Sequence, residues 1–212
     1  MTHAYPRKIT LRARDVGCDR GGAAIVRGVD LTVSPGEAVQ LFGANGAGKT
    51  TLLNLFAGHL RAAEGAVSWR INAGDWTPSR PAQSILFITH TAPMKPALTA
   101  LENLLFWARS YAIPAQQERE TVHGALEQVG MSAHAEMRAG KLSAGQRRRL
   151  DIARAILAKR EVWLMDEPAA AIDAKGAEMV GAIIAGHLAG GGIAIAATHD
   201  TLGVASRKLV IG

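Results

Sequence analysis

The richest chemistry in this chain is the string Gly43-Ala44-Asn45-Gly46-Ala47-Gly48-Lys49-Thr50. Gly43, Gly46 and Gly48 can take backbone angles that other residues avoid. Successive N–H groups can then turn inward around a polyphosphate, at a helix start whose dipole already favours anions. Lys49 would reach the β- and γ-phosphates of a nucleoside triphosphate as a point charge. The Thr50 hydroxyl would ligate Mg²⁺, and Thr51 carries the loop into the helix.

A second string, Trp163-Leu164-Met165-Asp166-Glu167-Pro168, ends an apolar run in two carboxylates whose roles should differ. Asp166 would hold Mg²⁺ through its water shell. Glu167 would sit nearer the γ-phosphate and polarise the attacking water or accept its proton. The third string is Leu142-Ser143-Ala144-Gly145-Gln146. Ser143 with Gln146 three residues later is a capping box ahead of the helical stretch RRRLDIARAILAK. This helix start presents free N–H groups, the Ser143 hydroxyl and a glycine without a side chain, which together make a second anion site. One P-loop with two phosphate-binding helix starts poses a geometric problem. If both grip one nucleotide they must come from different copies of the chain, because the first already occupies its own side of the phosphates.

These strings need particular elements to hold them. Residues 37–42 read as a buried strand feeding the P-loop, and apolar residues at helical spacing follow from Lys49 to Gly58. Residues 161–165 read as a parallel strand buried on both faces, with Asp166 and Glu167 emerging at its C-terminal end, where open α/β sheets place ligands. Further strands are expected at 9–14, 24–33, 67–72, 85–89 and 193–197, and residues 98–140 are mostly helical by period. On the helix after Gln146, Leu150, Ala153, Ile156 and Leu157 share one side, and Arg147, Arg148, Arg149, Arg154 and Lys159 spread over the rest. The expected class is α/β of the P-loop NTPase type.

On these strings the chain resembles the ATPase subunits of ATP-binding-cassette (ABC) transporters, from about residue 8 to residue 205. In that family the signature loop of one protomer closes over ATP held by the P-loop of the other. The resemblance implies a RecA-like core, an N-terminal antiparallel β part and a helical subdomain inserted at about 91–150 of one domain spanning 1–212. It implies ATP and Mg²⁺ as cofactors, with nucleotide contacts from Gly43 to Thr51. The partner copy's γ-phosphate would meet Leu142, Ser143, Ala144, Gly145 and Gln146. Glu167 matches the base and Asp166 the metal position. Asp173, in AAAID, matches the loop that crosses the dimer interface, and His199 matches the switch histidine at the γ-phosphate.

Two departures from the family pattern stand out. The family stacks adenine on an aromatic residue about two dozen positions before the P-loop, whereas CDRGGAAIV holds none and Arg20 falls nearest that place. A guanidinium can also lie flat on a base. In SILFITHTAPMKPALTALENLLF, His90 occupies the place of the family's metal-contacting glutamine. Histidine there, with a short chain, is similar to the haem-exporter ATPases of bacterial cytochrome c maturation. That likeness implies two ATPase subunits beneath membrane-embedded subunits, at the cytoplasmic face of the inner membrane. Hydrolysis there is linked to export of haem or release of a haem-loaded chaperone. The bend at 91–96 (TAPMKP) is where a membrane partner's helix is expected to dock.

Composition narrows the classes. The chain has 212 residues, 48% of them hydrophobic, enough for one domain with a substantial core. No apolar run approaches bilayer length, and MTHAYPRKIT lacks the apolar core of a signal sequence. A single cysteine, Cys18, excludes an internal disulfide and suits a reducing compartment. The net charge of +6 is dispersed and aromatics are 5%, so a solvated basic surface is a more economical reading than nucleic-acid binding. Soluble ABC-type ATPases stay open as an alternative, an iron–sulfur assembly ATPase above all, as does the ATPase of another ABC exporter. A module that only binds nucleotide would need neither Glu167 nor His199.

Overall fold

The computed structural model describes residues 4–20, 23–199 and 201–211, the side chains of Arg20, Ala23 and Ala24 excepted. Strands β1 (Ile9–Arg20), β2 (Ala23–Val33) and β4 (Glu64–Ile71) form an antiparallel sheet in the order β2-β1-β4. Alternation on β1 buries Ile9, Leu11 and Ala13 and leaves Arg14 exposed. Strands β3 (Ala38–Phe42), β5 (Ile85–Ile88), β6 (Val162–Asp166), β7 (Ile193–Ala197) and β8 (Arg207–Val210) form a parallel sheet in the order β5-β6-β7-β3-β8.

The parallel sheet is covered on both faces, which explains why β7, and β6 as far as Met165, are apolar at every step. Val162, Leu164, Ile193 and Ile195 pack into one core with the antiparallel sheet and with Leu52, Leu53 and Phe56 of α1 (Lys49–Phe56). Trp163, Met165, Ala194 and Ala196 face the other way, into a second core filled by helices. Three of those helices lie between β5 and β6: α2 (Ala100–Ser110), α3 (Ala115–Gln128) and α4 (Ala144–Ala158). A fourth, α5 (Ala174–Ala189), joins β6 to β7. Among the described residues no helix is long and apolar enough to cross a membrane.

The expected α/β class, the N-terminal antiparallel part and the helices between β5 and β6 are all present. Helix α4 covers the stretch expected to be helical after Gln146, and its Leu150, Ala153 and Leu157 are buried in the helical core. Helix α5 and strand β8 add two elements that the apolar pattern alone does not mark. Strand β8 is mostly exposed at an edge of its sheet, so it lacks the apolar run that reveals a buried strand.

Candidate functional site

All five parallel strands point their C-terminal ends the same way, and the residues just beyond four of them meet in one cavity of about 460 Å³. Its walls include Asn45, Gly46, Gly48, Lys49, Thr50 and Thr51 after β3, His90 after β5, Asp166 and Glu167 at the end of β6, and His199 after β7. Gly48 is the N-cap of α1 at φ 100°, with no side-chain cap, so the helix's first N–H groups face the cavity unclaimed by a capping side chain. A Cβ at Gly48 would lie 2.5 Å from Val26 Cγ2 and 2.9 Å from Ile25 Cγ2, so this position needs glycine for space as well as for angle. The Lys49 ammonium donates to the carbonyls of Gly43 at 2.7 Å and Ala44 at 3.1 Å, which holds it at the loop's inner edge. Ala47 packs against the core beneath the loop.

Across the cavity, Thr50 Oγ1 donates to Asp166 Oδ2 at 3.0 Å. Two hard oxygens, one from the first turn of α1 and one from the end of β6, thus converge on one point. Glu167 sits at φ 51°, a left-handed conformation costly for a side chain with a Cβ, and its N–H donates to Ala197 O at 2.8 Å. That turn sends its carboxylate toward β7, where Oε1 is 3.7 Å from His199 Nε2. The same His199 nitrogen lies 3.0 Å from Asn45 Oδ1, so one imidazole bridges the P-loop and the carboxylate.

Residues 142–146 and 173 do not line this cavity. The capping box forms as expected: Gln146 N–H donates to Ser143 Oγ at 3.1 Å, and Ser143 N–H donates to Gln146 Oε1 at 2.8 Å. Leu142 is only 3% exposed and belongs to the helical core, whereas Ser143 and Ala144 are exposed. Gly145 is pressed against the loop before α5, where an added Cβ would be 2.5 Å from Ala171 O. Asp173 caps α5 by accepting from Gly176 N–H at 3.1 Å, and Arg149 of α4 donates to it at 2.6 Å. The Arg149 hydrogen bond, then that of Gly176, holds the Asp173 carboxyl below the usual range. Arg20 ends β1, and its side chain lies outside the described residues.

The sequence pattern misses two contributors. Ile25 of β2 lines the cavity as an aliphatic wall, and inside an ordinary apolar strand it carried no signal. Arg148 was grouped with the solvated basic residues of its helix. It is buried, as is Arg154, because Asp151 lies between them on α4 with no exposure at all. The regular spacing Arg148, Asp151, Arg154 was the available clue.

The phosphate loop, the paired carboxylates and the histidine meet at the ends of adjacent strands, the arrangement of a P-loop nucleotide site. The sequence profile of the family described as ABC transporter matches residues 26–170, and the chain belongs to that family as an ATP-hydrolysing, ATP-binding subunit. Within the family it is 46% identical over 202 residues to the cytochrome c biogenesis ATP-binding export protein CcmA of Nitrobacter winogradskyi, spanning 95% of this chain and 98% of that one. It is 40% identical over 195 residues to CcmA 2 of Cupriavidus metallidurans, spanning 91% and 90%. A putative ABC transporter ATP-binding protein of Pyrococcus furiosus shares the fold with a TM-score of 0.81 at 22% identity, over 95% and 97% of the two chains. A dimeric ATP-binding cassette in a post-hydrolysis state, bound to ADP and phosphate, matches with a TM-score of 0.76 at 25% identity, over 90% and 88%.

Proposed function

We propose that two copies of this chain form the ATPase pair of a cytochrome c biogenesis exporter, seated under membrane-embedded subunits at the cytoplasmic face of the inner membrane. One observation carries the two-copy arrangement: the cavity holding the P-loop, Asp166, Glu167 and His199 has no wall from residues 142–146. The exposed Ser143 hydroxyl and the N-terminus of α4 then complete the site of a second copy. The exporter reading is supported by the identity to the biogenesis relatives over nearly the whole chain. Their names speak of export; haem, or a haem-loaded chaperone, is the cargo proposed here.

The main-chain N–H groups from Gly43 to Gly48 cradle the phosphates, and the Lys49 ammonium exchanges a loop carbonyl for the β- and γ-oxygens. Thr50 and Asp166 fit Mg²⁺, since their two oxygens converge and this ion keeps most of its shell as water and phosphate. When bound, the ion offsets charge on the β- and γ-oxygens. Glu167 orients a water in line with the γ-phosphorus and takes its proton as the P–O bond to ADP breaks. His199, tied to Asn45 and beside Glu167, would meet the γ-phosphate, and His90, in the same cavity wall, would bond to water on the metal.

The test is Glu167→Gln with Mg²⁺ and ATP. Turnover should fall by a factor of about 10²–10⁴ while ATP stays bound, and the chain should run as a dimer whose Ser143→Cys sites cross-link to probes on the opposite nucleotide. Persistent monomer in this form, with the Ser143→Cys chain that keeps Glu167 also failing to cross-link beneath its membrane partners, rejects the two-copy site. Affinity isolation in mild detergent tests the exporter reading. Recovery of soluble scaffold proteins in place of membrane subunits rejects it.

A further inference from the structure

Helix α4 carries three charged side chains that hydrolysis does not obviously need. Asp151 has no exposure, Arg148 has 6% and Arg154 has 5%. Arg154 Nε donates to Asp151 Oδ1 at 2.7 Å, whereas Arg148 Nη1 faces Oδ2 at 3.6 Å, an ion pair without a hydrogen bond. The pairing of Arg148 is loose because its guanidinium is used elsewhere. Its Nη1 donates to Thr89 O at 2.9 Å, and its Nη2 to His90 O at 3.4 Å and Asp166 O at 3.2 Å. Arg154 holds the same strand one step back, donating from Nη2 to Phe87 O at 3.2 Å and from Nη1 to Tyr111 Oη at 3.3 Å.

The main-chain acceptors are Phe87 within β5, Thr89 and His90 just past its C-terminal end, and Asp166 at the end of β6. The carbonyls that Arg148 grips include those of His90 and Asp166, two residues in the wall of the nucleotide cavity. The Ser143–Gln146 capping box lies at the start of the same helix, within one turn of Arg148. A planar, five-donor guanidinium is the side chain that can bond several divergent carbonyls at once; an ammonium on a flexible stem cannot. A buried ion cluster is a poor way to gain stability alone, since well-packed apolar residues of the same volume generally do as well. Burial disfavours the Arg148 charge, and Asp151, Asp166 and Glu167 favour it, so the group feels both catalytic carboxylates without touching the substrate.

We infer that Arg148, anchored by Asp151, is a positioning residue that locks the tilt of the signature helix to the placement of His90 and Asp166 in the nucleotide cavity. A rotation of α4 pulls the ends of β5 and β6 through one side chain. A change at the nucleotide is carried back along the same bonds to the helix start. The inference rests on the ATP-hydrolysis reading of the cavity and adds a coupling element to it.

The experiment is a double-mutant cycle between Arg148→Met and His90→Ala, read on the full chain as kcat at saturating Mg-ATP and, separately, as Tm. Arg148→Met should lower kcat at least tenfold with KM little changed, and in the His90→Ala background its further effect should shrink to threefold or less. The Tm loss should be the same in both backgrounds. Arg148→Lys serves as the second variant should the methionine form fold poorly: it should retain most of the Tm and recover little of the kcat. Equal fold-losses in both backgrounds, or a lysine variant that recovers kcat together with Tm, overturns the inference. A wild type that binds Mg-ATP without turnover is a separate outcome: it defeats the hydrolysis reading and with it the coupling.

Discussion

Lowering the pH should destabilise this protein through one buried imidazole. His187, near the end of α5, is 5% exposed and stacks on Trp163 with ring centroids 4.0 Å apart. Its Nδ1 is 2.7 Å from the Tyr5 hydroxyl and its Nε2 is 3.0 Å from Ile193 O. A neutral ring satisfies both contacts, with the proton on Nε2 donating to the carbonyl and Nδ1 accepting from Tyr5. Burial pushes its pKa down from 6.5 to about 4, against the smaller upward pull of the Ile193 carbonyl. Between those values the unfolded chain binds a proton that the fold refuses, so stability rises with pH there. It is fully present above about 6.5 and is lost as pH falls toward about 4. Linkage with those two values gives a loss of about 2 kcal/mol between pH 7 and pH 5. Urea unfolding of the nucleotide-free chain at pH 7, 6 and 5 measures it, with His187→Gln as the reference that removes this titration and keeps the others. The wild type should lose about 2 kcal/mol more than the variant over that interval. Parallel pH slopes for the two proteins refute the argument, as does a wild type that gains relative to the variant at pH 5.

Gly145→Ala drives a Cβ to 2.5 Å from the backbone oxygen of Ala171, so it should cost about 1–3 kcal/mol of stability in urea and lower ATP turnover tenfold or more, with ATP binding unchanged. Gly48→Ala should abolish nucleotide binding in an equilibrium assay with a fluorescent ATP analogue, because strain at φ 100° and the clash with Val26 both distort the cradle. Thr50→Val removes the hydroxyl that meets Asp166, and the Mg²⁺ concentration for half-maximal turnover should rise at least tenfold while the fold keeps its Tm. His90→Gln should stay within about threefold of wild-type turnover with membrane partners present, and His90→Ala should fall below both. Equal rates in all three forms remove any special part for this side chain.

Much of the site was legible because its chemistry demands particular residue types at particular spacings. The P-loop glycines, the carboxylates at a strand end and the Ser143–Gln146 capping box are local patterns, each set by a few neighbouring backbone groups. Ile25, Arg148 and Arg154 were not legible, because their roles depend on which distant strand end faces them. An arginine on a helix reads as solvated until a buried carboxylate three residues away is seen to face inward with it. Helix α5 escaped notice for a related reason: AKGAEMVGAIIAGHLA is so rich in alanine and glycine that its period is shallow, although Val180 and Ile184 are buried in the core.

The segment from Asp166 to Asp173 makes the two proposed sites of a dimer inseparable. It starts in one cavity, with Asp166 bonded to Thr50 and Glu167 facing His199. It then turns twice, with Ala170 N–H donating to Glu167 O at 3.1 Å and Ile172 N–H to Ala169 O at 3.2 Å, through left-handed residues at Glu167 and Ala171. It ends at Asp173, bonded to Arg149 just beyond the signature loop, with Ala171 O lying against Gly145. So short and tightly turned a path has few soft dihedrals to absorb a shift at either end. In the two-copy arrangement, movement of Glu167 as its own γ-phosphate departs reaches the serine and glycine that hold the partner's nucleotide. On the proposed two-copy reading, this turn and the Arg148 contacts run side by side between the nucleotide cavity and the start of α4.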